Sequence, residues 1–293
     1  MSTPASHDDR PAAPSPTTSW AQVPTRTITV GDIDVAYRSY GRAGGVPVVF
    51  LHHLGANLDN WDPRVLDGIA ARHHVIAFDN RGVGATGGSV PDTVEGMADD
   101  AIAVIETLGL TRVDLFGFSL GGFVAQVITT VRPDLVRKLI LTGTGPAGGE
   151  GITDVTRITY SDSIKSVLTG KDPKTRLFFT RTINGKAQAK AFLSRLKERT
   201  DDRDKAVSLR AFRTQLTAIH SWGAQTPADL GAITQPTLVA NGDDDRMVPT
   251  SNSHDLARRI PNATLRIYHD AGHGGIFQAH DQFVPTALEF LEA

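Results

Sequence analysis

The sequence predicts an α/β fold with a mostly parallel central sheet, helices on both faces of that sheet and an inserted helical cap. Short apolar, β-branched segments recur along the chain and alternate with segments of helical spacing, as a parallel sheet with crossover helices requires. Several of these segments are apolar at every position, which is typical of strands covered on both faces. The alternation stops between residues 147 and 228 and then resumes, which indicates an insertion.

The predicted strands of the parallel sheet are short: residues 46–51, 74–78, 113–117, 139–142, 237–240 and 265–268. Residues 27–40 are interrupted by Gly31 and Asp32 and are expected to form an antiparallel hairpin at one edge of the sheet. Apolar residues at helical spacing predict core helices over 93–108, 120–131 and 254–260.

The insertion at 147–228 divides the predicted core into residues 24–146 and 229–293. Its helical patterns cover 187–199 and 206–219. We expect it to form a lid over the carboxyl edge of the sheet, because it leaves after a central strand and returns before a later strand-end loop. The inner face of this lid is expected to carry the aromatic residues Phe178, Phe179, Phe192, Phe212 and Trp222, of which Phe178, Phe179 and Trp222 are candidate pocket residues. The alternative is that most of these side chains only hold the cap helices together.

Composition narrows the classes of function. The chain has 293 residues, 40% hydrophobic and 21% charged, and a formal net charge of -2, so no strong field would attract nucleic acid. Cysteine is absent, which excludes disulfides and a cysteine nucleophile. Residues 1–23, rich in Pro, Ser, Thr and Ala, are expected to be a disordered tail without a secretion signal. No apolar run reaches membrane length, so we expect a cytoplasmic protein without membrane insertion; homo-oligomerisation stays open.

A serine lies at the predicted junction between a buried strand and an apolar helix, in the sequence Gly-Phe-Ser-Leu-Gly at residues 117–121. This is the strand-turn-helix context in which hydrolases expose a nucleophilic serine. Glycines two residues to either side are expected because the serine backbone is strained there and larger neighbours would collide with the turn. The pattern predicts Ser119 as a nucleophile.

A serine hydroxyl needs a base within hydrogen-bond reach, and the base needs a third group to orient it. Residues 242–249 and 270–275 each follow a predicted strand and offer acids and a histidine, in the chain order Ser, Asp, His. His273 is the predicted base, since it alone among the histidines lies in a strand-end loop flanked by glycines. Asp243, Asp244 and Asp245 are the candidate acids, of which one suffices.

From about residue 23 to the end, the chain resembles the α/β-hydrolase family in five motifs that occur in order. They are Leu-His-His-Leu-Gly at 51–55, Asp-Asn-Arg-Gly-Val-Gly-Ala-Thr at 79–86, the serine turn Gly-Phe-Ser-Leu-Gly at 117–121, Gly-Asp-Asp-Asp-Arg-Met-Val-Pro at 242–249 and Gly-His-Gly-Gly at 272–275. The resemblance implies the α/β-hydrolase fold, places the family's acid on Asp245 and its histidine on His273, and requires no cofactor. The pattern is most similar to capped esterases and cofactor-free haloperoxidase-like enzymes.

The oxyanion hole is expected to use the backbone N–H of Leu120, which follows the nucleophile, and a second N–H from the loop after an early strand. Leu54 is the candidate for the second donor. The family usually has His-Gly here, whereas this chain has His52 and His53, so whether His53 or Leu54 supplies that N–H stays open. No further ligand stands at suitable spacing around the two histidines, so no metal is expected. His53 and Val248 are further candidate pocket residues.

These features together predict a serine hydrolase that cleaves an ester or lactone of a small, largely apolar molecule through an acyl-enzyme. An alternative keeps the same residues but lets hydrogen peroxide accept the acyl group, as in a cofactor-free haloperoxidase or perhydrolase. Two minor alternatives are a carbon–carbon bond hydrolase and a ligand receptor with a hydrolase-like pocket. The first is disfavoured because Gly274, and not tryptophan, follows the histidine.

Overall fold

The structure is a computed structural model that describes residues 18–293. Its strands are β1 Arg26–Val30, β2 Ile33–Gly41, β3 Val48–Leu51, β4 His74–Phe78, β5 Val113–Phe118, β6 Val136–Thr142, β7 Thr237–Gly242 and β8 Ala263–Tyr268. Its α-helices are α1 Pro63–Ala70, α2 Val94–Thr107, α3 Leu120–Val131, α4 Val155–Leu168, α5 Lys174–Leu177, α6 Ile183–Arg195, α7 Leu209–Ala224, α8 Thr250–Arg259, α9 Gly275–Gln278 and α10 His280–Glu292. None of the helices in this range is both long and apolar enough to cross a membrane.

The eight strands form one sheet in the order β1-β2-β4-β3-β5-β6-β7-β8. The first strand pairs antiparallel with β2, and β2 pairs antiparallel with β4, whereas all other neighbours are parallel. The two-residue turn of the hairpin holds Gly31 at a φ of +60°, a region that glycine enters without strain. This architecture confirms the predicted fold class and the predicted hairpin.

The central strands are apolar on both faces because helices cover both faces. Along β3, Val49 packs into the hydrophobic cluster that also contains side chains of α2 and α3. The next residue, Phe50, packs into a second cluster that contains side chains of α1 and α10. Since successive side chains of a strand point to opposite faces, every position of a doubly covered strand must be apolar. The carboxyl ends of these parallel strands meet at one edge, where the loops carry polar residues.

Several boundaries differ from the predicted ones for local reasons. Helix α8 begins at Thr250 and not at 254, because its first turns are polar and give no apolar period. In the inserted segment, α6 begins at Ile183 and α7 at Leu209. The Thr182 hydroxyl accepts the Gly185 N–H, and the Ser208 hydroxyl accepts an N–H at the start of α7. These capping residues set the helix starts independently of the apolar spacing.

The predicted disordered tail lies mostly outside the described residues, but its last residues do not fit that description. Trp20–Gln22 form a short 3-10 helix, and Trp20 is only 2% exposed. Its backbone N–H donates to Asp67 at 2.6 Å, and its ring N–H donates to the Leu58 carbonyl at 3.2 Å. The predicted boundary at residue 23 is therefore wrong. One tryptophan buries enough apolar area to attach a segment whose composition is otherwise polar.

Candidate active site

Ser119 occupies the turn between β5 and α3 in a strained conformation, with φ of 55° and ψ of −118°. Its backbone N–H donates to the Thr142 carbonyl of the neighbouring strand at 2.9 Å. A Cβ at Gly117 would lie 2.4 Å from the Gly121 carbonyl oxygen, and a Cβ at Gly121 would lie 2.0 Å from the Leu51 carbonyl oxygen. Both contacts are impossible for a real side chain, so the two glycines are required for the serine to stand between the strand and the helix.

The structure brings Ser119, His273 and Asp245 together at the carboxyl edge of the sheet. The Oγ of Ser119 lies 3.0 Å from Nε2 of His273, and Nδ1 of His273 lies 2.8 Å from Oδ2 of Asp245. The other carboxylate oxygen of Asp245 accepts the N–H groups of Met247 and Val248 at 2.8 and 3.0 Å. An ionised carboxylate can only accept, so the ring proton sits on Nδ1 and leaves Nε2 free to take the serine proton.

Asp243 and Asp244, the other two candidate acids, are exposed and lie outside this chain of hydrogen bonds. Asp243 binds the ring of the exposed His269 at 2.7 Å and accepts the Ala271 N–H at 3.2 Å. Asp243 therefore stabilises the loop that carries His273 without contacting the ring of His273. The backbone N–H of Asp244 donates to the Ala271 carbonyl at 3.0 Å, and the residue is exposed to solvent.

Backbone N–H groups next to Ser119 are available for a developing oxyanion. Leu120 is the first residue of α3, so its N–H has no acceptor within the helix. In the loop after β3, the Gly55 N–H donates to Oε1 of Gln215 at 2.8 Å, and the Ala56 N–H donates to the His53 carbonyl at 3.2 Å. The second bond turns the His53–Leu54 peptide so that the Leu54 N–H points away from Ala56. Gln215 belongs to α7, so the inserted segment braces this loop directly.

The two adjacent histidines face different surroundings. The Nδ1–H of His53 donates to the Leu54 carbonyl at 2.9 Å. Burial, reinforced by the charge of Lys174, holds the pKa of His53 well below its usual value, so its ring is neutral. His52 points into the core beside Trp61, with 5.7 Å between ring centroids. Within residues 18–293, no three side chains of His, Asp or Glu converge as a metal site would require.

A cavity of about 230 Å³ lies above Ser119 and His273. His53, Leu54, Phe178 and Val248 line it, as does Ser119 itself. One wall comes from the core and the other from the inserted segment, so α4, α5 and α7 cover the serine. The remaining lining residues are Gly55, Phe123, Val155, Thr159, Ser163, Asp172, Pro173, Lys174, Leu177, Phe212, Ile219 and Met247.

Phe179 and Trp222 are the two predicted pocket residues that do not line this cavity. Phe179 is buried and packs against Phe192 of α6, with ring centroids 5.5 Å apart. Trp222 stacks on Phe123 at 5.5 Å. Both therefore hold the inserted segment together or against the core, and their assignment to the pocket is wrong. Adjacent side chains point in different directions, so Phe178 reaches the cavity while Phe179 faces away from it.

Sequence reasoning missed several residues of the cavity wall. Phe123 could have been found, because it stands one helical turn after Ser119 and so shares its side of α3. Met247 lies two residues after Asp245 in the same loop and could have been found as well. Thr159 and Lys174 come from two different helices, and no pattern in the sequence indicates which of their faces meets the serine. Phe212 is among the aromatic residues expected on the inner face of the lid, and it lines the cavity.

Comparison with known proteins gives consistent matches. The family model described as alpha/beta hydrolase fold matches residues 46–279. The solved structure of an alpha/beta hydrolase fold protein from Chitinophaga pinensis is similar, with a TM-score of 0.90 and 36% identity, and the match covers 94% of this chain and 100% of that one.

Two curated relatives carry names that describe different reactions. The "Putative non-heme bromoperoxidase BpoC" of Mycobacterium tuberculosis is 29% identical over 270 residues, 88% of this chain and 98% of that protein. The 2-hydroxy-6-oxononadienedioate/2-hydroxy-6-oxononatrienedioate hydrolase of Cupriavidus pinatubonensis is 28% identical over 284 residues, 91% of this chain and 95% of that protein. At this similarity the names leave the substrate to be argued from the residues of the site.

Proposed function

The chain belongs to the α/β-hydrolase fold family of enzymes, and from that premise we propose that it is a serine hydrolase cleaving a carboxylic ester or lactone of a small, largely apolar molecule. The observation that carries the proposal is the continuous hydrogen-bonded chain from Ser119 through His273 to Asp245. All three side chains are buried, at 7, 3 and 6% exposure, so their mutual interactions are little screened by water. The reaction needs no cofactor.

In the proposed mechanism, Nε2 of His273 takes the proton of Ser119 as Oγ attacks the carbonyl carbon. The resulting oxyanion accepts the N–H groups of Leu120 and Leu54, and Asp245 stabilises the imidazolium. The carbon–oxygen bond to the leaving group then breaks, and His273 returns the proton to the leaving alkoxide. Water repeats the sequence on the acyl-enzyme, giving the acid and free Ser119.

The size and lining of the cavity support small substrates. A volume of about 230 Å³ lies below the usual range of roughly 300–1,000 Å³ for ligand pockets. Most of the wall is apolar, including Phe123, Leu177, Phe212 and Val248. Short acyl groups therefore fit better than long fatty acyl chains.

Covalent labelling tests the proposal. We expect a fluorophosphonate probe to label the wild-type protein at Ser119 and to leave the Ser119→Ala variant unlabelled. Turnover of short aryl esters should fall by at least ~10³-fold in that variant, because the three residues act as a unit. Matching thermal unfolding of the two proteins is the control. Near-wild-type turnover by Ser119→Ala would end the serine-hydrolase proposal.

The name of the bromoperoxidase relative supports a second candidate, in which hydrogen peroxide replaces water as acyl acceptor. Attack of peroxide on acetyl-Ser119 would release peracetic acid, which itself oxidises bromide. The measurement is peracid formation from acetate ester and hydrogen peroxide, with Ser119→Ala as control. Ester hydrolysis at an undiminished rate with no peracid would exclude this candidate.

A further inference from the structure

Three polar side chains on the inserted segment line the cavity above Ser119 without a hydrogen-bond partner in the described part of the chain. They are Thr159 and Ser163 of α4 and Lys174 of α5. Thr159 and Ser163 stand four residues apart and so share one face of their helix. All three are hydrogen-bond donors, and one carries a positive charge, in a wall that is otherwise mainly apolar.

Thr159 differs from most of the threonines in the described helices. Thr129, Thr214 and Thr217 each donate to the carbonyl four residues back, at 2.7, 3.1 and 3.2 Å, which is the usual way for a helical threonine to satisfy its hydroxyl. Thr159 makes no such bond, although it is only 1% exposed and its Oγ1 is fully buried without a partner. A buried hydroxyl without a hydrogen-bond partner destabilises the protein, and an acceptor atom of a bound ligand would supply the missing partner.

Lys174 forms no ion pair with a carboxylate in residues 18–293. Asp162, the buried carboxylate of α4, is bound to Arg246 at 3.1 Å instead. Asp172 also lines the cavity, but it is exposed and its Oδ1 accepts the backbone N–H of Lys174 at 2.8 Å. Lys174 lines the same cavity as Ser119 and His273, and its charge helps to lower the pKa of the His53 ring.

We propose that Lys174, Thr159 and Ser163 bind a carboxylate of the substrate, so that the ester or lactone cleaved at Ser119 carries a free acid group. This inference rests on the proposed serine hydrolase function and names its substrate class: half-esters of dicarboxylic acids and lactones that bear a carboxyl group. A carboxylate leaving water for this cavity needs a positive charge and several donors, and these three groups supply them. Since His53 is neutral, Lys174 supplies the positive charge in the described lining of the cavity.

The test compares two aryl esters that differ only in charge, 4-nitrophenyl hydrogen glutarate and 4-nitrophenyl methyl glutarate. We expect the wild type to favour the anionic ester in kcat/KM by at least 10-fold. Lys174→Met should lower this anionic-to-neutral ratio by at least 10-fold. Lys186→Met removes the same charge from an exposed position of α6 outside the cavity, and it should leave the ratio within a factor of two. A wild-type ratio below one, or the same ratio in Lys174→Met, would overturn the inference.

A binding measurement gives a readout that does not depend on turnover. The anion of monomethyl glutarate is titrated into the Ser119→Ala protein by calorimetry, alone and combined with Lys174→Met or with Thr159→Val, which preserves side-chain volume. Each second change should weaken binding at least 10-fold, and undiminished binding in either double variant would overturn the inference. If Ser119 is labelled and neutral esters are cleaved without any preference for the anion, only this inference fails. If Ser119 is neither labelled nor needed for turnover, the proposed function fails.

Discussion

Gly274 donates its backbone N–H to the carbonyl of Phe178 at 2.8 Å, so the loop that carries His273 is bonded to the segment that covers the cavity. A Cβ at Gly272 would lie 2.7 Å from the same carbonyl oxygen, and a Cβ at Gly274 would lie 3.0 Å from Cβ of Phe178. Asp270, in the same loop as His273, also accepts hydrogen bonds from the side chains of Thr182 and Asn184, each at 3.0 Å. The glycines around His273 therefore allow two chain segments to approach closely.

Replacing Gly272 with Ala should separate these segments and shift His273. We expect kcat/KM for short esters to fall by about 10²-fold, since a displacement of about 1 Å is sufficient for such a loss. The free energy of unfolding, measured with urea, should fall by about 1–3 kcal/mol. Gly87→Ala is the matched control, because its Cβ would meet only ordinary contacts at 3.7 Å and beyond. An unchanged kcat/KM in Gly272→Ala would contradict this account.

The roles of the three consecutive aspartates can be separated by charge-neutral changes. Asp245→Asn should lower kcat by roughly 10³–10⁴-fold, because an amide can no longer hold His273 with its proton on Nδ1. Asp243→Asn should cost less than tenfold, since that side chain binds the exposed His269 and one backbone N–H. Steady-state kinetics on the same aryl ester gives both values. A greater loss of kcat in Asp243→Asn than in Asp245→Asn would show that Asp245 is not the residue that orients His273.

Phe212 and Trp222 lie on the same helix but should respond differently to truncation. Phe212→Ala enlarges the cavity wall, so we expect the preference among acyl esters to move toward longer chains. Trp222→Ala removes the stack on Phe123 and should lower the free energy of unfolding by about 3–5 kcal/mol while leaving the order of chain-length preference as in the wild type. The measurements are kcat/KM over a series of acyl lengths and urea unfolding. A reversed pair of results would place Trp222 at the substrate.

His52 should make the fold sensitive to acid. Burial lowers its pKa to about 3 in the folded chain, against about 6.5 when unfolded. As pH falls below 6.5, His52 takes up a proton in the unfolded chain but stays neutral in the folded chain. The free energy of unfolding therefore decreases as the pH falls from about 6.5 toward the pKa of the folded state. On going from pH 6.5 to 5, we expect His52 to lower the free energy of unfolding by about 2 kcal/mol.

The prediction is checked by urea unfolding of the wild type and His52→Gln at both pH values. The difference between the two proteins removes contributions of other titrating groups, and it should shrink by about 2 kcal/mol on going from pH 6.5 to 5. His254→Gln, at an exposed position, should follow the wild type. A difference between wild type and His52→Gln that is constant with pH would contradict the assignment.

The order of strands and helices could be predicted from the sequence because it depends on local patterns. Apolar alternation located β4 at residues 74–78 and α3 at residues 120–131 with the bounds that the structure has. The short motifs likewise located Ser119, Asp245 and His273 in loops at strand ends, because glycine-rich turns and polar residues after apolar runs are visible in the chain itself. The structure then places these three side chains within hydrogen-bond distance of one another.

The cavity wall was decided only by tertiary structure. Phe178 and Phe179 are chemically identical neighbours, and only the docking of their segment on Gly272 and Gly274 determines which ring faces Ser119. Trp20 shows the same limit, because the mostly polar residues next to it in the sequence did not indicate that it packs on the core. A side chain's identity and spacing are local properties, whereas the direction in which it points depends on contacts with residues far away in the chain. The sequence by itself therefore determined the fold and the candidate reacting groups. The packing of the inserted segment decided which residues surround those groups.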